Sequence, residues 1–149
     1  REVAVEAAFS LKEVQAIVGR PATSLQYLID QALPPHGVKG RKRLFSVAEA
    51  VVLLVAQKLF DHGFKAHHAC VLAKACGEYF HSLLLDDDAN FWLFAAPKDN
   101  GFSFTVTNDA AEGLTILEAL PNSHITNLRR TLQAAMALLL AAPQEDRHA

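Results

Sequence analysis

Cysteine is scarce in this chain, and so are long uninterrupted apolar runs. The two cysteines, Cys70 and Cys76, cannot form the framework of bridges that stabilises small secreted domains, so we expect a reducing compartment, the cytoplasm. Apolar stretches such as residues 48–56 are shorter than the about 20 residues that a membrane-spanning helix needs, which predicts no membrane partner. The opening "REVAVEAAFS" contains Glu2 and Glu6 and has no long apolar centre, so we expect no signal peptide.

The chain also lacks the motifs of common catalytic and metal sites. It has no glycine-rich phosphate loop, no H-E-x-x-H and no pattern that pairs a nucleophile with a base, so we expect neither an enzyme nor a cofactor. In "HHAC", His67 and Cys70 are three residues apart and could share a helix face. Cys76 would point elsewhere, and no C-x-x-C pair is present. Buried thiols and surface histidines are therefore expected, and no metal site.

The net charge is only −2, but it is unevenly distributed. Residues 1–64 contain eight Lys and Arg against six Asp and Glu, whereas residues 65–149 contain six against ten. Within the more basic half, four of the five residues from 39 to 43 are Lys or Arg. Such a cluster is typical of a surface that meets a polyanion, and a solvated loop is the alternative interpretation.

Two short helices are predicted before this basic cluster. Ser10 and Glu13 form an S-x-x-E capping box at the start of the first helix, and Gly19 is a natural stop. Pro21 suits the first turn of a second helix, and the two prolines at 34–35 end it. The following stretch, "HGVKGRKRLFS", contains two glycines and ends in residues that favour strands, so it predicts a short β-ribbon or wing.

After the basic cluster, the spacing of apolar residues changes from the helical period to strand alternation. Ser46 is predicted to cap a third helix that stops at Gly63, and a fourth helix follows from about residue 65 to residue 84. "FWLFAA" and "FSFTVT" flank the turn "PKDNG", which predicts a β-hairpin over residues 91–107. "GLTILEAL" fits either a third strand or a helical turn.

A last helix is predicted from residue 122 or 123 to about residue 142. Its apolar positions keep the 3-4 spacing that is typical of a contact with another helix, here a second copy of the chain. We call these residues the C-terminal stripe: Ile125, Leu128, Leu132, Ala135 and Leu139.

Together these patterns predict a mainly α protein with a small β element. An N-terminal winged helix-turn-helix covers residues 9–64, and a connecting helix covers 65–85. A β-hairpin and a long dimerisation helix occupy residues 86–149, which would also hold any effector site.

The helix-turn-helix pattern points to DNA. The second helix of such a unit enters the major groove with its N-terminal side chains toward the base edges. The corresponding side chains in this sequence are of types that can form hydrogen bonds, and glutamine can pair bidentately with adenine. Cations in the wing would neutralise phosphates and release counterions. The predicted DNA-binding residues are Arg20, Thr23, Ser24, Gln26, Tyr27, Lys39, Arg41, Lys42 and Arg43.

The order of elements over residues 9–64 resembles the DNA-binding domain of MerR-type transcription regulators. The matching features are the Phe9-Ser10 start, "LQYLI" in the second helix, Leu33 before two prolines, the "RLFS" exit from the wing and the Gly63-Phe64 junction. Residues 86–149 resemble no effector domain of that family.

The resemblance implies a homodimer that binds adjacent major grooves. Residues 24–31 would read bases, Tyr27 and Arg43 would touch phosphate or sugar, and the last helix would pair the protomers. Gln26 stands where the family usually has an arginine.

The expected function is sequence-specific DNA binding by a homodimeric transcription regulator on a two-fold operator. Its expected partners are double-stranded DNA, a second copy of the chain and RNA polymerase, in a bacterial-type cytoplasm at the nucleoid. One alternative is an excisionase-like architectural or recombination factor, although such factors are usually shorter. The other is a winged-helix module that meets a protein with an acidic surface.

Overall fold

The computed structural model describes residues 9–35 and 42–141. Over these ranges the chain is mainly helical with a small antiparallel sheet, which confirms the predicted fold class at that level. The elements in chain order are α1 (Leu11–Val18), α2 (Ala22–Ala32), α3 (Val47–Asp61), α4 (Ala66–Leu85), β1 (Trp92–Lys98), β2 (Gly101–Thr107), α5 (Ala110–Ala119), β3 (His124–Asn127) and α6 (Leu128–Ala141). None of the helices in these ranges has both the length and the apolar character needed to cross a bilayer.

Capping boxes fix the starts of α1 and α3; the sequence predicts the first box, and Ser46 as the cap of α3. The Glu13 backbone N–H donates to Ser10 Oγ at 3.2 Å, and the Ser10 N–H donates to Glu13 Oε1 at 3.1 Å. Ser46 and Glu49 repeat the pattern at 3.1 and 3.0 Å. Each box satisfies two backbone donors that a helix start would otherwise leave unpaired. Gly19 ends α1 with φ at 78°, a left-handed conformation that glycine adopts without steric cost.

Only the end of the predicted wing lies within the described residues. Lys39 and Arg41 lie outside them. The backbone from residue 42 to residue 46 runs into α3, and Phe45 forms an isolated antiparallel bridge with Phe9. The two N–H···O distances of the bridge are 3.0 and 2.7 Å, so this segment is tied to the start of α1.

Helix α3 lies at the centre of the molecule. Every side chain from residue 50 to residue 56 is buried, so this helix has no polar face along its middle. The surrounding helices α1, α2, α4 and α6 all pack against it. One continuous apolar core extends from Phe9 to Leu139 and crosses the predicted domain boundaries after residues 64 and 85.

The sheet has the strand order β2-β1-β3, with both neighbours antiparallel to β1. The predicted hairpin is confirmed, and its two-residue loop places Asp99 at a φ of 47°, a conformation that Asp tolerates in tight turns. Leu93 and Ala95 on β1 belong to the main core. Phe94 points to the opposite face, where it meets Gly113 of α5.

In the C-terminal region the structure decides one open alternative and corrects one prediction. "GLTILEAL" belongs to α5, whose first turn is capped by Asp109 Oδ1, accepting from the Ala111 N–H at 2.9 Å. The third strand is instead β3, so the predicted start of the last helix at residue 122 or 123 is wrong. Ile125 pairs with Phe94 in the sheet. Asn127 Oδ1 then accepts from the Arg130 N–H at 3.0 Å, which lets α6 begin directly after β3.

Candidate nucleic-acid interface

Helix α2 has one buried and one uncovered side. Leu25, Leu28 and Ile29 are buried in the core. The exposed residues on the other side follow the i, i+3, i+4, i+7 spacing that places side chains on one helix face. We call this set the α2 face: Thr23, Gln26, Tyr27 and Asp30. The structure therefore brings three of the predicted DNA-binding residues together on an accessible surface.

Asp30 is a member of this face that the sequence reading missed. Gln26 Nε2 donates to Asp30 Oδ1 at 2.9 Å, which holds the Gln26 amide in one orientation. Gln26 keeps one N–H donor and its carbonyl oxygen for other partners, and Asp30 adds carboxylate acceptors. Their separation of four residues on one helix was a signal that could have found the pair.

Arg20 is half-buried and is held between α2 and α3. Its Nε donates to Gln57 Oε1, and one of its terminal nitrogens donates to the Ser24 carbonyl oxygen at 3.4 Å. The guanidinium carbon lies 5.1 Å from the centre of the Phe60 ring. Arg20 thus fastens the turn before α2 to α3, and the sequence around it gave no indication of these distant partners.

Ser24 is similarly engaged. Its hydroxyl donates to the Pro21 carbonyl oxygen at 3.2 Å, and the residue is half-buried. Pro21 itself is the N-cap of α2 and lies just before the first turn. Ser24 therefore helps to form the helix start.

Arg43, at the end of the predicted wing, folds back onto the protein. One terminal nitrogen donates to the Pro34 carbonyl oxygen at 3.0 Å and lies 3.3 Å from Glu49 Oε2. Its guanidinium also lies over the Phe45 ring at 5.1 Å, and only 17% of the side chain is exposed. Arg43 therefore joins the end of α2 to the start of α3. Lys42 beside it is exposed, and among the described wing residues it is the cation that points to solvent.

The C-terminal stripe does not form a free surface. Leu128, Leu132, Ala135 and Leu139 are at most 1% exposed, because the chain's own core covers them. Ile125 lies on β3, away from this helical row, and is exposed. The prediction that this stripe faces a second copy is therefore wrong. Spacing shows that a helix face is apolar, but it cannot show which surface covers that face.

Among the residues that the structure describes, the cysteines and histidines do not assemble a metal site. Cys70 and Cys76 are both buried, as predicted, and burial raises the pKa of Cys76 to about 12. Burial also raises the pKa of Cys70, against a smaller opposing effect of the Arg20 charge. Across residues 9–35 and 42–141, no three His, Cys, Asp or Glu side chains lie close enough together to hold an ion.

Within the described residues, the geometry therefore provides an uncovered hydrogen-bonding face on α2 and, near it, the exposed cation Lys42. Models of known protein families match no part of this chain, and a search of curated proteins finds no similar sequence.

Proposed function

We propose that this protein is a sequence-specific DNA-binding transcription regulator, in which α1 and α2 form the helix-turn-helix of a winged helix. The observation that carries the proposal is the α2 face. Thr23, Gln26 and Tyr27 stand uncovered on a short helix that is anchored from behind by its buried leucines. A rigid helix with a polar, accessible N-terminal half suits insertion into the major groove.

The chemistry of the α2 face supports reading of bases. Gln26 can pair with adenine through its remaining donor and acceptor, and the Asp30 carboxylate can accept from the exocyclic amine of cytosine. Phosphate contacts would come from Lys42 and from the neighbouring wing cations Lys39 and Arg41. In this division of roles, the face specifies the sequence and the wing positions the helix.

A two-fold operator requires two copies, with their reading helices about 34 Å apart. Because the C-terminal stripe is internal, the second copy needs a different surface. The side of helix α6 that bears Leu138, which is 52% exposed, is not covered by the core. We place the contact between copies on this outer side of α6, and we expect contact with RNA polymerase to follow from the bound dimer.

The test is selection of bound sequences from random duplex DNA, followed by affinity measurements at several salt concentrations. We expect a selected site made of two inverted half-sites. The combined change Lys39→Ala, Arg41→Ala and Lys42→Ala should weaken binding to all sequences and reduce the salt slope by roughly 0.9 for each lost phosphate contact. Lys98→Ala, on the exposed end of the hairpin, is the matched control and should change neither. An unchanged slope in the triple variant would remove the wing from the interface.

One observation favours a protein-binding module as the second candidate. Arg20 and Arg43 are both held by internal contacts, and Asp30 adds a negative charge to the α2 face. A face with fewer available cations would also suit a protein partner. The salt series separates the two candidates, since a protein module would show no affinity for duplex DNA at low salt.

A further inference from the structure

A groove of about 860 Å³ lies beside the α2 face. Its walls come from α1, from the C-terminal half of α2, from the segment at 42–45 and from α4. This volume falls within the range of roughly 300–1,000 Å³ that is usual for small-molecule sites. We call it the α2 groove.

The α2 groove has an apolar inner surface. Ile29, Leu33 and Phe45 line it, and each of these residues is at least nine-tenths buried. A ligand with a flat or aliphatic part would bury its apolar surface against these side chains, which the core already holds in place.

The rim of the groove is basic. Lys42, from the end of the wing, and Lys74, from α4, both line it and are exposed. Within the described part of the chain, neither forms an ion pair. Lys12 from α1 also lines the groove, as does Arg43, which is paired with Glu49, whereas Asp30 is the one acidic residue among the described lining residues and is bonded to Gln26. Three separate elements thus place cations around an apolar floor.

We propose that the α2 groove binds a small organic anion that has an apolar body and a carboxylate or sulfonate group. The apolar floor accepts the body, and Lys42 and Lys74 receive the acidic group from two sides. Lys74 is remote in sequence from α1 and α2, and only the packing of α4 against α2 brings it to the groove.

Occupancy of the groove competes with DNA, because Gln26 and Lys42 belong both to its lining and to the proposed reading surface. A bound anion also adds negative charge where a phosphate backbone would approach. This second part of the inference rests on the proposed function, whereas binding of the anion does not.

The experiment uses 8-anilinonaphthalene-1-sulfonate as the probe and measures its fluorescence during titration with the whole chain. N-phenyl-1-naphthylamine has the same aromatic body without the sulfonate, and it should bind at least about tenfold more weakly. Lys74→Ala and Lys42→Ala should each reduce sulfonate affinity by about tenfold and leave the neutral probe nearly unaffected. Lys65→Ala, at the start of α4, is the matched control and should have no effect.

Equal affinity for the two probes, or unchanged sulfonate affinity in both lysine variants, would overturn the proposed anion site. The competition is tested separately by adding the sulfonate probe to a complex with the selected duplex. If the probe releases DNA from the unmodified protein and releases less from Lys74→Ala, the anion and DNA exclude each other. Simultaneous binding of probe and duplex overturns exclusion and leaves the anion site standing. If no duplex binds at all, the proposed function and the exclusion fail together, and the fluorescence data alone decide the anion site.

Discussion

The rings of His62 and His124 lie against each other in a tilted arrangement, with centroids 4.3 Å apart and planes inclined by 38°. His62 is the C-cap of α3, and His124 is the first residue of β3, so the pair joins the central helix to the sheet. Burial lowers the pKa of His124 below its ordinary value of 6.5, and the nearby His62 and Lys58 lower it further. The folded protein therefore favours the neutral form of His124.

Stability should decrease as the pH falls through 6.5. The unfolded chain takes up a proton on His124 at that pH, whereas the folded chain resists protonation until a lower pH, so proton uptake favours unfolding. Above pH 6.5 this contribution is fully present. Urea unfolding between pH 5 and pH 8 measures it, and His124→Gln should flatten the dependence. His81→Gln, an exposed change on α4, should leave the dependence as it is; the same slope in both variants would refute the role of His124.

Gln26→Ala tests whether the α2 face reads sequence. We expect a loss of about 1–3 kcal/mol on the selected site and little loss on random duplexes, because a bidentate base contact is removed and phosphate contacts remain. Gln133→Ala, on the exposed side of α6, is the matched control. Equal losses on both kinds of DNA would make Gln26 a positioning residue, without a role in specificity.

A pair of leucine variants separates the internal side of α6 from its outer side. Leu132 is 1% exposed, so Leu132→Glu would bury an unpaired charge and should cost several kcal/mol, which is enough to unfold a marginally stable domain. Leu138 is 52% exposed, and Leu138→Glu should remain folded but sediment as a monomer if the copies meet there. Circular dichroism and sedimentation velocity measure the two effects. A folded Leu132→Glu protein would contradict the assignment of this side chain to the core.

Two helical glycines should respond oppositely to alanine. A Cβ at Gly113 would lie 2.9 Å from Phe94 Cζ, so the buried ring must move, and Gly113→Ala should lower the melting temperature. A Cβ at Gly77 would meet Val52 Cγ2 at 3.5 Å, an ordinary contact. Gly77→Ala should therefore stabilise the protein by up to about 1 kcal/mol through helix propensity. Equal changes in melting temperature in the two variants would show that Phe94 leaves room for a Cβ at position 113.

Residues 9–64 should not fold by themselves. This fragment retains α1, α2 and α3, but α3 would lose both α4 and α6 as packing partners. Its buried middle, residues 50–56, would then be exposed to water. We expect poor dispersion in the amide spectrum of the fragment, compared with a well-dispersed spectrum for residues 9–141. A native-like spectrum from the fragment would show that the N-terminal unit is independent.

Local features could be predicted from the sequence, because the interactions that produce them lie within a few residues. The capping box at Ser10, the cap at Ser46, the helix stop at Gly19 and the hairpin over residues 91–107 all belong to this class. The sequence singled out Thr23, Ser24, Gln26 and Tyr27 as hydrogen-bonding residues near the start of α2, and helical spacing would have separated Ser24 from the other three and added Asp30 to them.

Features that depend on distant contacts could not be predicted. Gln57, which accepts from Arg20, lies 37 residues further along the chain. Strand β3 has only four residues, so the alternation of its apolar and polar residues is too short to predict a strand. Only its pairing with β1 identifies it. The C-terminal stripe had the right spacing for a helix contact, but the partner is the chain's own core.

Helix α6 packs against both α1 and α3, so the last described helix lies against the first. A close-packed interior of this kind resists relative rotation of its parts. The angle between α2 and the sheet is then a constant of the fold within each copy. In the proposed two-copy complex, the distance between the two α2 helices would therefore depend only on how the two copies join. Substitutions at the junction between copies would change the preferred spacing of half-sites without altering the bases read in each half.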